Sequence, residues 1–526
     1  MNQLGGARRV LLLLSLVGGA VWIAGLFIYT RSLGNWLLPH FVAIIAATLV
    51  FALSCYASGL KILQWLWPSL EDQGAHRALS FAAGLMAFFW STFLCGILGL
   101  IGPFFFFALP AALLAMGLDP LARELALAWA WLVDARQRIT GTQVLIGAAG
   151  AIAFGMVYLP ILSPENLNYD ARWYHIGLAE HYVAAGRIVR LPEGFLNGAF
   201  PPMATVFYTW CFELPFSALF DRMVLCLHVE FAVVVATVMA IPALARALAP
   251  GAGRFRGAWL VYFLFPGIFI YDTGVEGAGD HFSQFWVVPA WLAVLHGWKK
   301  LGWREATLVA IPMSGLLLAK YTAVIAFLPL AVVLVVRTAS QLFAAIELES
   351  RERAKQSLAE PLRVAAVGLV LTSAHWLKNW IFYDDPVYPM LRHVIGANPW
   401  TGDSEAWHRV YMLTNPNAQG GFLHNLLGAL RALVDYHYST LYNWNDLHGT
   451  EPAFGSLFTA SLIALPFLKG TRRVWGLALV VHLAIFSWYY VTHLERYLQV
   501  VVPWMAAVVA VVLVLAAQQG GRWVAV

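Results

Sequence analysis

The chain has 526 residues, of which 60% are hydrophobic and only 12% charged, with a formal net charge of +5. Soluble domains carry roughly 25% charged residues, so this composition excludes a large soluble enzyme, and so slight a basic excess gives no ground for a nucleic-acid partner. Apolar runs of about 20 residues, enough to cross a hydrocarbon core of ~30 Å, recur from end to end. The sequence predicts an all-α polytopic membrane protein.

Arg8-Arg9 precedes the run Val10 to Tyr29, which is too long for a signal peptide and lacks a small-x-small cleavage site. It reads as the first span, with the N-terminus in the cytoplasm. Further spans are predicted at 37–58, 79–98, 103–118 and 143–162. A long outer segment, 163–222, follows. Later spans fall near 223–245, 256–271, 281–298, 306–319, 322–337, 361–382, 453–469, 473–492 and 497–517. That is about 13–14 transmembrane helices, joined by amphipathic helices on the outer face. The alternation puts Arg136/Arg138, Arg246/Arg254/Arg256, Lys299/Lys300/Arg304, the 351–363 cluster and Lys469/Arg472/Arg473 on the cytoplasmic side. It requires 202–220, which opens at Pro201-Pro202, to be a shallow or re-entrant outer helix.

This divides the chain into accessory helices (1–142), a module carrying the large first outer loop (143–382), a second outer loop (383–452) and C-terminal helices (453–526). The second loop has turn signals at Asn398-Pro399, Asn415-Pro416 and Gly420-Gly421. Within it, Phe422 to Tyr436 has the apolar spacing of a helix lying flat on the membrane. Residues 338–360, charged and of mixed sign, read as a cytoplasmic linker, most simply a solvated helix. Cys55, Cys95, Cys211 and Cys226 form no CxxC pair; a Cys211–Cys226 disulfide on the outer face is compatible with their placement. No inverted repeat of the transporter kind is visible.

Against this apolar background the ionisable residues stand out. Asp170 lies in Asn168-Tyr-Asp-Ala-Arg-Trp-Tyr-His175, just after the span that ends at Leu162. Charges at such a position are costly and point to function by default. The same topology brings Arg172, His175 and Arg222 to the outer face, with Asp272, Glu276, Asp280 and His281 from the segment that follows. Lys320 sits alone in Leu318-Ala-Lys-Tyr-Thr322, and Arg496 in His493-Leu-Glu-Arg-Tyr497. Lysine and arginine suit a phosphate, arginine by bidentate contact. A carboxylate suits removal of a proton from a hydroxyl acceptor.

Plainer roles compete. Asp170 can cap the following helix or pair with Arg172, Lys320 can snorkel from a short helix end, and Arg496 can pair with Glu495. Glu276 and Asp280 share a helical face and can hold a divalent cation, Mg or Mn, although the glycines between them favour a loop.

The order of these motifs resembles that of the GT-C superfamily of integral-membrane glycosyltransferases that use polyprenyl-phosphate sugars. The resemblance rests on Asn168 to His175, Ala179-Glu-His-Tyr-Val-Ala-Ala-Gly-Arg-Ile188, Gly277-Ala-Gly-Asp280 and Ala319-Lys-Tyr-Thr-Ala323. It continues through Trp376-Leu-Lys-Asn379, Asp385-Pro-Val-Tyr-Pro389 and Glu495-Arg-Tyr497. It implies a GT-C-like fold in a bacterial inner membrane, with the active site facing the periplasm or cell exterior. It also implies a polyprenyl-phosphate-linked donor, a glycan, lipid or protein acceptor, and membrane lipids as surroundings.

By resemblance, Asp170 is the acidic residue of the first outer loop that serves as catalytic base or metal-adjacent carboxylate. Asp280 is the second acid, and Lys320 and Arg496 are phosphate-binding; Arg172, His175, Arg222 and His281 complete the expected substrate contacts. The chain departs from the O-mannosyltransferases in having a lone Asp170 instead of an Asp-Glu pair. It also carries four spans ahead of the one that leads into the loop, and lacks the WWD-type motif of oligosaccharyltransferases. A transporter or flippase of a lipid-linked glycan, and a glycan polymerase or ligase using a lipid-diphosphate donor, are the alternative readings.

Overall fold

The computed structural model describes residues 15, 17–22, 25, 37–68, 72–163, 167–191, 196–252, 255, 257–269, 274–396, 398, 400–406, 421–438, 454–491 and 494–520. Most of the predicted span 10–29, Asp272, the turn at Asn415-Pro416 and His493 lie outside the described residues.

Leu37–Leu66 (α1) and Gln73–Ile97 (α2) form an antiparallel pair. They approach closely because the crossing is built from small residues: a methyl group on Gly59 would lie 1.7 Å from the Ser80 carbonyl oxygen, and one on Gly84 1.6 Å from that of Cys55. With no hydrophobic driving force between helices in lipid, such small-residue contacts are the main way two spans adhere. Asp72 starts α2 as an N-cap, accepting from the Gly74 and Ala75 amides. Pro103–Met116 (α3) and Leu118–Arg138 (α4) follow, bent by 75° at Gly117. Gly141–Tyr158 (α5) opens on a Thr140/Gln143 capping box.

After the first loop come Ile176–Ala185 (α6), Met203–Phe212 (α7) and the 30-residue Leu219–Leu248 (α8). Ten residues make about 15 Å of helix, so α7 falls well short of a crossing, as the charge alternation required of 202–220. It is held inside the protein by aromatic contacts. The Trp210 ring stacks on Phe106 at 4.7 Å, and its indole N–H donates to the Phe106 carbonyl. Asp280–His296 (α9), Trp303–Ala319 (α10), Val324–Glu347 (α11), Arg351–Leu371 (α12) and Ser373–Tyr383 (α13) continue the bundle. Phe422–Asp435 (α14), Leu457–Ala464 (α15), Arg472–Val491 (α16), Glu495–Leu498 (α17) and Val502–Gln519 (α18) close it.

Seven of the described helices are long and apolar enough to cross a membrane, or nine if each of two bent pairs is one span. This is fewer than the predicted spans, for specific reasons. Residues 258–269 are two 3₁₀ turns separated at Phe265-Pro266, so the span expected at 256–271 is absent as a continuous helix. The one expected at 453–469 is an eight-residue helix ending in a 3₁₀ turn. The predicted solvated helix over 338–360 is helical but broken, since α11 runs on to Glu347 and α12 begins at Arg351, and it is not solvated throughout. A buried Arg337–Glu360 pair at 2.8 Å ties the two, with Arg337 also donating to the Trp298 carbonyl.

The helix ends sort into two sets. At one, Arg246 meets Asp72 and Arg473 donates to the Ala247 carbonyl. At the other, His40 meets Asp221 and the Ile188 amide reaches Gly96. The four cysteines are free thiols, so the Cys211–Cys226 bond is not formed. Helix α14 packs Ala429 and Ala432 inward and leaves Phe422, Leu423, Leu427, Leu430 and Val434 exposed, as its apolar spacing predicts.

Candidate functional site

Asn168 begins the site. Its side-chain oxygen accepts the Asp170 amide at 2.9 Å, and its carbonyl accepts the Arg172 amide. Asn168 therefore supplies the cap, and the Asp170 carboxylate, with no cap bond of its own, is free for other work. The next five residues, Ala171–His175, form a π-turn. Such turns are rare and recur at functional sites.

Facing this turn is the loop Val275 to Asp280. Its glycines are dictated by geometry: Gly277 and Gly279 have φ of 82° and 76°, a region that side chains disfavour. A methyl group on Gly277 would also lie 3.0 Å from that of Ala171, and one on Gly279 2.9 Å from that of Ala204. The loop is pinned at two further points. The Asn168 amide donates to the Glu276 carbonyl, and the Gly277 amide donates to the buried Glu230 carboxylate at 2.8 Å. The loop delivers Asp280 at the first residue of α9, where a carboxylate is favoured by the helix dipole.

Lys320 terminates α10 in an extended conformation, with φ −163° and ψ 147°, before the chain re-enters helix through Tyr321–Ala323. The break turns its side chain inward. Arg496 lies on the short helix α17, after the break that follows α16.

These four residues meet. The Lys320 ammonium lies 2.9 Å from Asp280 and 3.2 Å from Asp170. The Arg496 guanidinium lies 2.8 Å from Asp280 and also donates to Asp170. The Tyr497 ring packs under both cations, 5.1 Å from the ammonium and 5.4 Å from the guanidinium. All four charged side chains are between 10% and 16% exposed, so their charges are largely withdrawn from water. Burial alone would raise the Asp170 pKa, but Arg496 and then Lys320 outweigh it and hold the carboxyl well below its usual range. For Lys320, burial and Arg496 oppose the charge, while Asp280 and Asp170 prevail and raise its pKa. The centre is a neutral square of two acids and two cations.

The other expected contacts distribute unevenly. His175 is buried under the loop, 2% exposed, against Thr205 and Gly279. Burial, then Lys320, push its imidazole down to about 3, so it is a neutral support. His281 is buried and bonded to the Gly274 carbonyl. Arg172 is exposed, and Arg222 donates to Ser217; neither contacts the square. Asp170 pairs with Lys320 and Arg496 instead of Arg172, and Lys320 does not snorkel outward.

The donor set does not fit a metal ion. Asp280 already faces two cations, and no group of three His, Cys, Asp or Glu side chains suited to a metal occurs among the described residues. Of the expected Glu276/Asp280 pair, Asp280 is turned to the two cations, while Glu276 gives its backbone carbonyl to the Asn168 amide.

Sequence reasoning missed Glu230, which supports the loop through the Gly277 amide and accepts from Tyr208. Its signal was available, as an acid in the middle of an apolar span. The Tyr497 platform left no comparable signal. A cavity of about 1750 Å³ opens elsewhere, among Phe81, Trp129, Met239 and Trp259, and none of the four charged residues lines it. Comparison of the chain with protein-family models, curated proteins and solved structures finds no match.

Proposed function

We propose that this chain is an integral-membrane glycosyltransferase that moves a sugar from a polyprenyl phosphate to a hydroxyl acceptor on the outer face of the membrane. The observation that carries the reading is the square itself: Asp170, Asp280, Lys320 and Arg496 arrive from four separate segments and share one buried place. Gathering these charges away from water is unfavourable unless they have a task or a partner.

A glycosyl phosphate lipid matches that arrangement chemically. The acceptor oxygen attacks the anomeric carbon as the bond from that carbon to the phosphate oxygen breaks. The phosphate leaves with the bonding electrons, its charge rising from one negative to two. Lys320 and Arg496 interact more strongly with the leaving group than with the bound donor, which is the condition for accelerating the step. The acceptor proton passes to a carboxylate, Asp170 in this proposal.

Paired with both cations, Asp170 is a weak base because they hold its proton affinity down. A donor phosphate competing for those cations restores its basicity, so the base becomes competent when the donor is in place.

The test is transfer by purified protein supplied with a panel of polyprenyl-phosphate sugars and membrane-derived acceptors. Release of polyprenyl phosphate coupled to a labelled glycan supports the reading. Failure of folded protein to bind any member of the panel removes it.

A further inference from the structure

Beyond the square lies another buried basic residue, and among the described residues this one has no acid paired with it. Lys378 and Asn379 belong to α13, on the Trp376-Leu-Lys-Asn379 motif that the four-residue centre does not use. The Lys378 side chain is buried, and its ammonium donates to one neutral group, the Gly198 carbonyl at 3.2 Å; among the described residues it has no ion-pair partner. An ammonium has three donors, so two are left over.

Its neighbour Asn379 is fully buried. The amide nitrogen donates to the Ala199 carbonyl at 2.7 Å, while the amide oxygen has no hydrogen-bond partner. Buried polar groups are rarely left so. Here spare donors and a spare acceptor occur on adjacent residues.

The place is joined to the square. His375, on the same face of α13, bonds the Tyr321 hydroxyl at 3.0 Å, and Tyr321 directly follows Lys320. Phe200 packs on Tyr321 and on Tyr174, linking the 196–200 segment that Lys378 and Asn379 grip to the π-turn carrying Asp170. Of the acids that follow α13, Asp384 is exposed at the helix end, Asp385 accepts the Val387 and Leu391 amides, and Glu405 pairs with Arg392. Arg190 lies over the Tyr383 ring at 6.0 Å.

We propose that Lys378 and Asn379 form a second oxyanion subsite, separate from the donor phosphate site. It takes an anionic group of the acceptor, with a hydroxyl of the same group or sugar donating to Asn379. The assignment to the acceptor rests on the glycosyl-transfer reading; the anion site itself does not. Two chemistries carry an oxyanion and a hydroxyl together, a phosphate monoester and a sugar carboxylate.

The test uses full-length protein in lipid nanodiscs. Its thermal midpoint is followed against inorganic phosphate and, separately, glucuronate, with chloride matching the ionic strength. A Lys320→Met background weakens the donor site, so that any remaining response reports the second one. At least one anion should still raise the midpoint there, and adding Lys378→Met should weaken that response at least tenfold. A response to phosphate alone identifies a phosphorylated acceptor; a response to glucuronate alone identifies an acidic sugar.

Asn379→Asp provides a second check that does not leave a cavity. It sets a carboxylate beside the ammonium, and should abolish the anion response while the protein stays folded. The proposal is overturned if neither anion acts in the Lys320→Met background, or if the response survives both Lys378→Met and Asn379→Asp. Polyprenyl-phosphate binding by the parent protein, measured alongside, reads the donor site independently, so its loss would count against the transferase reading alone.

Discussion

Arg496 and Asp280 lie 216 residues apart in the chain and 2.8 Å apart in space. Both sit where the chain breaks between long helices. Asp280 is delivered by a glycine loop that Asn168 and Glu230 hold down, and Arg496 by the short helix between α16 and α18. The pair exists only because the N-terminal ends of α9 and α18 are neighbours, and Lys320 and Asp170 complete it from two more directions.

The square makes charge balance testable. Lys320→Met leaves two buried carboxylates facing one cation, and removing one member of a buried pair costs about 3–5 kcal/mol. Adding Asp170→Asn restores neutrality. The double variant is expected to be more stable than the sum of the two single changes predicts, with a coupling of roughly 0.5–3 kcal/mol in a thermodynamic cycle. Additive losses would mean that the two side chains act independently.

Donor affinity should follow the cations. Lys320→Ala and Arg496→Ala are each expected to weaken polyprenyl-phosphate binding by ~1.5–3 kcal/mol, the worth of one charged hydrogen bond. Asp170→Asn should instead spare donor binding and reduce turnover ~10²–10⁴-fold, the usual contribution of a general base. Direct binding and single-turnover measurements separate the two effects. Near-normal turnover in Asp170→Asn would leave that residue only a partner for the cations.

Acid should unpick the centre before alkali does. The Asp170 pKa is lowered, so its contribution to stability is fully present above the unfolded value of 3.8 and is lost as pH falls through the lower folded value. Lys320 shifts upward, so its contribution is complete below 10.5 and is lost as pH rises through the higher folded value. The stability difference between the parent protein and Asp170→Asn should therefore stay constant from about pH 5 to pH 9 and shrink below about pH 4. Thermal unfolding across that range reads it directly.

Glu230 tests the support beneath the loop. Its carboxylate accepts from the Gly277 amide and the Tyr208 hydroxyl, both buried. Glu230→Ala should cost about 1–3 kcal/mol for each donor left unsatisfied. Glu230→Gln keeps an acceptor oxygen and should recover most of that loss. Equal stability of the two variants would remove the residue from the loop's support.

Much was legible in the chain itself. A helical, polytopic membrane protein follows from apolar runs with few charges, because hydrocarbon admits only backbone that satisfies its own hydrogen bonds. The isolation of Asp170, Lys320 and Arg496 was equally plain, since a charge in such surroundings is conspicuous wherever it lies. Span boundaries were less so: 256–271 has the hydropathy of a span, yet the chain turns into 3₁₀ segments there, with Pro266 opening the second. Tertiary structure alone decided which charges meet. Arg222 and Lys320 were both substrate-contact candidates in sequence, but Arg222 donates to Ser217, while the extended break after α10 carries Lys320 into the square. Helical periodicity reports which face of a segment is apolar. It does not report which helix ends become neighbours, because that depends on packing among segments hundreds of residues apart.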